Sequence, residues 1–251
     1  MEYFLDTTET IAKGVGFSHY GKIHTVWICV FITVTVLNAL LYRKLSSSGK
    51  EKWRKAVAVL LLLDELFKMV MLFIGGRYTP KYLPLHLCSI NIILIAIHAW
   101  KPTKAMNNFL YAICIPSSLL AIFFPTWTKL PLANFMHIHS FTVHILLALY
   151  PIVLLVGGEL KPKLKDLPKC LLLLLGLAFI ALCANLIFDT NFMFLMSASK
   201  GNPLYWFEQN WGDHRYGFPV LMAAILFLFY APIVIRDSLK NKKKKALYNA
   251  K

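Results

Sequence analysis

The residues with most chemistry to offer stand in apolar surroundings. Cys88 lies in LPLHLCSIN, two residues after His86 and three before Asn91, and that last spacing puts Asn91 on the cysteine's face of a helix. NFMHIHSFTVHILLALYPIVLL holds three histidines: His137 and His144, seven apart, stack two helical turns from each other near Asn134 and Phe141, while His139 points elsewhere. His24 opens an earlier apolar run, and Asn185 and Asp189, spaced i,i+4, close a later one. A thiol beside an imidazole has the parts for nucleophilic catalysis. The histidine takes the thiol proton, the thiolate attacks an acyl carbonyl, and the resulting thioester passes its acyl group to a second acceptor. A second chemistry is open to the same residues: His137, His144 and a further histidine or Asp189 could hold a zinc-bound water in a lipid hydrolase, though no compact HxxxH or HExxH pair is present.

The elements that must position these residues are membrane helices. Of the 251 residues 58% are hydrophobic and 16% charged, with a mean hydropathy of +0.59. Soluble globular chains average roughly 45–50% apolar and about 25% charged, so a soluble domain is excluded. The apolar residues gather in blocks of the length a helix needs to cross a bilayer, where lipid offers no partner to free backbone groups. The fold expected is all-α, a polytopic bundle of seven transmembrane helices over 23–42, 56–75, 84–100, 107–124, 134–156, 168–188 and 217–235, forming one transmembrane domain over 1–251 with a basic cytoplasmic tail at 236–251. Pro84 suits the first turn of the third helix, and Pro116 predicts a kink or shortening in the fourth. The N-terminus carries acidic residues before any apolar run, the wrong order for a cleaved signal peptide.

Charge sets the orientation. Of 27 Lys and Arg, nineteen fall in the links 43–55, 101–104 and 161–169 and in the tail, seven fall in the other links, and Lys68 sits within a span. Under the positive-inside rule this places the N-terminus outside and the C-terminus in the cytoplasm. The net charge of +15 therefore reports topology, and no nucleic-acid partner is expected. Five cysteines without a CxxC pair form neither a zinc knuckle nor a disulfide framework. Asp64, Glu65 and Lys68 in the second span read either as an interior ion pair, Asp64 with Lys68 at i,i+4, or as carboxylates that orient a histidine. On this topology His24, His86, Cys88, Asn91, His137, His144, Asn185 and Asp189 all fall in the outer half of the bilayer and could line one cavity, with the aromatic link 189–216 as a lid.

The residues resemble the YwaF family of bacterial integral membrane proteins, which is related to human transmembrane protein 164. The likeness rests on FSHYGKIH before the first span, LPLHLCSI opening the third, HILLALYPIVLL in the fifth and NFMFL after the sixth, and covers nearly the whole chain. It implies seven membrane helices and, from the mammalian relative, a phospholipid acyltransferase working through a cysteine acyl-enzyme with a histidine partner. Carried over, the cysteine falls on Cys88 and the histidine, seven before the proline Pro151, on His144. The sequence departs from that relative in the histidine at position 86.

The function expected is transfer of a fatty acyl group from phospholipid, through a thioester on Cys88 with His144 as base, to a lipid acceptor. His24, His86, Asn91, His137, Asn185 and Asp189 would support or bind substrate. This reading needs no metal and no cofactor; its partners are phospholipid and the bilayer, and its place is a bacterial cell membrane. The alternatives are the metal-dependent hydrolase and a non-enzymatic transporter or lipid-binding protein.

Overall fold

The computed structural model describes residues 2–249, with side chains over 2–239. Among the described residues there are helices and no strand. In chain order they are α1 (Lys22–Lys44), α2 (Ser47–Ile74), α3 (Leu87–Trp100), α4 (Lys104–Phe109), a π-helical turn at Leu110–Cys114, α5 (Ile115–Phe123), α6 (Phe135–Val156), α7 (Leu167–Phe188), α8 (Pro203–Trp211) and α9 (Gly217–Asn249). Each expected span coincides with a helix, α4 to α5 forming one run. The basic tail expected over 236–251 lies, from residue 240 on, outside the residues whose side chains are described.

Five of these runs are long and apolar enough to cross a membrane: Lys22–Lys44, Lys104–Phe123, Phe135–Val156, Leu164–Phe188 and His214–Leu239. α2 has the length but carries Asp64, Glu65 and Lys68 in its apolar part. α3 has 14 residues, a rise of about 21 Å at 1.5 Å per residue, less than the ~30 Å hydrocarbon core. The chain is thus an all-helical, multi-pass membrane protein.

α6 is the axis. It is 72% buried over its apolar window, against 17% for α1, and packs on α1, α2, α3 and α5. Leu172, Ile187 and Phe227 lie exposed on the periphery, a surface that suits lipid and would be a liability in water. Local chemistry explains the breaks. Asn134 caps α6 by accepting from the Met136 and His137 amides, and its own amide donates to the Tyr3 and Asp6 carbonyls, tying the N-terminal segment to the helix start. Before Pro116 the helix opens into the π turn, the form the expected kink takes. Pro151 has no N–H to give the Leu147 carbonyl four residues back, and the Cys114 thiol donates to that carbonyl instead, at 3.4 Å.

Two local expectations are corrected. α3 starts at Leu87 with His86 as N-cap, so Pro84 lies outside the helix and Cys88 occupies its first turn. The ion pair in α2 is Lys68 with Glu65, at 2.5 Å and i,i+3, because Asp64 is drawn across to α6.

Candidate active site

An apolar cavity of about 390 Å³ lies between α3, the π turn, α5, α6, the inner face of α7 and the α8–α9 corner, towards the end of the bundle where α3, α6 and α9 begin. Its wall includes His86 and Cys88, Ser117 and Ser118 of α5, Trp127, His144, and Met193 and Phe194 from the link after α7. Cys88 is the cysteine on this wall.

The start of α3 gives Cys88 its setting. The first backbone bond into the helix runs from the Ile90 N–H to the His86 carbonyl at 3.0 Å, and the His86 side chain makes no cap. The amides of Leu87, Cys88 and Ser89 therefore have no helical acceptor. They form the positive end of the helix dipole around the sulfur, where negative charge on a thiolate or acyl oxygen is favoured.

His144 is held in one tautomer. Its Nδ1 lies 2.6 Å from the Ser140 carbonyl; a carbonyl only accepts, so Nδ1 carries the proton and Nε2 presents a lone pair. Among the described residues nothing hydrogen-bonds that Nε2. The ring stacks on Trp127, centroids 5.3 Å apart and planes 11° from parallel. Cys88 and His144 share the cavity wall but are not hydrogen-bonded to each other. Proton transfer needs hydrogen-bond reach, direct or through one water, so the thiol must turn towards Nε2 or pass its proton through a bridging water.

Behind this wall lies a charged network joining α2, α3 and α6. Lys68 pairs with Glu65, and Ser89, beside Cys88, donates to Glu65 Oε1 at 3.3 Å. Asp64 accepts from the Thr142 hydroxyl at 3.0 Å and stands 3.4 Å from His139 Nδ1. An interior ion pair is thus present, but between Glu65 and Lys68 and not Asp64 and Lys68, and Asp64 stands beside a histidine without a hydrogen bond to it. That histidine is His139, outside the expected set.

The residues expected to share one cavity are parted. His86, Cys88 and His144 meet on its wall, and Asn91, fully buried, donates to Ser117 Oγ at 3.4 Å just behind it. His24 and His137 do not line it. His24 accepts from the Tyr20 amide and donates to the Ile122 carbonyl. His137 donates to the Leu130 carbonyl and accepts from the Trp27 indole. With both nitrogens engaged, each ring pins loops to helices and keeps neither proton nor lone pair for chemistry. Asn185 braces the turn after α7 through Thr190 and Phe192, and Asp189 is the exposed, left-handed C-cap of α7 with φ 50°. The expected zinc set therefore lacks His137, and among the described residues no three His, Cys, Asp or Glu come together to hold a metal ion. Trp127, Met193 and Phe194 are site residues that spacing could not reveal, since each meets its histidine through the fold, whereas the i,i+4 spacing of Ser140 and His144 on α6 is the signal that could have found Ser140.

No individually curated protein and no solved structure matches the chain. The model of one family spans residues 17–230, a stretch that contains every site residue named above, and the chain belongs to the TMEM164 family.

Proposed function

We propose that this chain is an integral membrane acyltransferase that moves a fatty acyl group from phospholipid to a lipid acceptor through a thioester on Cys88. The observation that carries the reading is the joint presence, on one apolar cavity wall, of a thiol at a helix start and an imidazole with its Nε2 lone pair free. The same reading has seven crossings, with the N-terminus outside, the C-terminus cytoplasmic and the cavity at the outer leaflet of a bacterial cell membrane. α2 and α3 cross beside longer helices that shield their charges and short length.

In the first half-reaction the Cys88 thiol gives its proton to His144 Nε2 and Sγ adds to the ester carbonyl carbon. The C–O bond then breaks, and the departing lipid alkoxide takes the proton from His144, leaving the thioester and a lysolipid. In the second, an acceptor hydroxyl gives its proton to Nε2, attacks the thioester and releases the thiolate, which is reprotonated from His144. The apolar wall holds the chain and limits the water that would hydrolyse the thioester.

The test is acyl capture. Purified chain, incubated with vesicles of phosphatidylcholine radiolabelled in its acyl chains, should acquire hydroxylamine-labile label at Cys88, and Cys88→Ala should fold and acquire none. Wild-type protein that binds the lipid but never carries label at Cys88 sinks the reading.

A further inference from the structure

The two histidines on the cavity wall are held in opposite protonation patterns. His86 Nδ1 faces the Met193 backbone N–H at 3.4 Å. An N–H only donates, so Nδ1 holds the lone pair and the neutral ring carries its proton on Nε2. His144 is the reverse, with its proton on Nδ1. Among the described residues no group hydrogen-bonds Nε2 of either ring, and both rings border the cavity that Cys88 borders. One is thus set to accept a proton and the other to donate a hydrogen bond.

His86 is also held in place. Phe192 meets its ring edge-on at 5.2 Å and 73°, and Phe194 flanks it at 6.2 Å. The amide that fixes its tautomer belongs to a strained backbone: Met193 and Phe194 both take the left-handed conformation, φ 56° and 57°, without being glycine. Such residues cost of order 1–3 kcal/mol each and persist where their surroundings over-determine them. Here the surroundings include Asn185, whose side chain accepts from the Phe192 amide at 2.6 Å and donates to the Phe192 carbonyl at 3.1 Å. Those bonds fix the turn just before Met193.

We infer that His86 is the oxyanion donor of the Cys88 reaction, its Nε2–H hydrogen-bonding the acyl oxygen as charge develops there. The inference rests on the acyl-transfer reading above. When Sγ adds to the carbonyl carbon, the π pair moves onto oxygen, and His86 stabilises that charge while keeping its proton. When the pair returns, the ester C–O bond breaks, and the proton delivered to the leaving oxygen comes from His144. His86 lies two residues before Cys88, at the helix end whose free amides favour the same negative charge.

The experiment compares single-turnover acylation of Cys88 in the full chain, using the radiolabelled phosphatidylcholine vesicles. His86→Leu should slow labelling about 10²–10³-fold, the usual effect of removing one oxyanion donor, with lipid binding unchanged. His86→Gln, whose amide nitrogen can stand near the Nε2 position, should stay within about tenfold of wild type. A His86→Leu rate equal to wild type, or a His86→Gln rate as low as that of His86→Leu, overturns the inference while the thioester reading survives; wild-type protein that never labels removes both. A readout free of activity and of substitutions is the magnetic resonance of isotope-labelled imidazole nitrogens. It should find the proton on Nε2 of His86 and on Nδ1 of His144, and a proton on Nδ1 of His86 overturns the inference.

Discussion

Ser89 donates its hydroxyl to Glu65 Oε1, joining the residue beside Cys88 to a carboxylate already held by Lys68. The first turn of α3 is thus fastened to α2 by a buried charge. Removing one member of such a pair is costly, since the other remains desolvated and unpaired. Lys68→Met should lower stability by about 3–5 kcal/mol, whereas replacing Lys68 and Glu65 together by apolar residues should recover much of the loss. Thermal unfolding of both variants in detergent distinguishes the outcomes, and equal melting temperatures would count against the pair.

His144→Ala should slow acylation of Cys88 by about 10²–10⁴-fold, the range for loss of a general base, in a protein that still folds. The measurement is the initial rate of hydroxylamine-labile labelling across pH. Wild-type rates should carry the inflection of one ionising base, and the variant should lose it.

Cys114 offers an internal control. Its thiol satisfies the Leu147 carbonyl that Pro151 leaves free, and it is fully buried. Cys114→Ala should therefore cost about 1 kcal/mol of stability and leave labelling at Cys88 intact. Label that vanishes in Cys114→Ala but persists in Cys88→Ala would move the nucleophile to the wrong helix.

His24→Phe strands the Ile122 carbonyl and His137→Phe the Leu130 carbonyl, each a buried acceptor, at about 1–3 kcal/mol per unsatisfied group. Both should lower the melting temperature, yet acylation per folded molecule should stay near wild type. A large loss of rate in His137→Phe at unchanged stability would return that residue to the chemistry.

At the corner between α8 and α9, Arg215 holds the Asp213 carboxyl down to about 2, through its side chain first and its backbone amide second. A depressed carboxyl stabilises the folded form above its unfolded value, near 3.8, and that contribution fades as pH falls towards 2. Asp213→Asn should speed hydrogen exchange at the corner above about pH 4, and the difference should shrink as pH falls through about 2.

The helices were legible because hydropathy and length are summed over many residues, and single errors average out. Where α3 begins was less so. Pro84 fits a first helical turn, but His86 keeps an extended backbone, ψ 149°, and the helix starts only after it. The candidate site was legible in part. Type and spacing mark Cys88 and a group of histidines as candidates, but only the family resemblance, through the histidine seven before Pro151, separates His144 from His137 on the same helix. The difference lies in Trp27, which reaches His137 from α1, while His144 Nε2 is left free. Likewise His86 acquires its tautomer from a backbone amide 107 residues away, a contact no local pattern encodes. Lys68 prefers Glu65 to Asp64 for a similar reason, since Thr142 on a later helix claims the aspartate.

The buried charges of α2 also carry a consequence for how the protein is made. As α2 leaves the ribosome, Lys68 can neutralise Glu65 within the helix, but the partners of Asp64, Thr142 and His139, belong to a segment not yet synthesised. In the seven-crossing topology proposed above, the insertion machinery would have to shelter Asp64 until α6 arrives, so this carboxylate, unlike the Lys68–Glu65 pair that fastens α3, would make co-translational integration of α2 depend on a helix further down the chain.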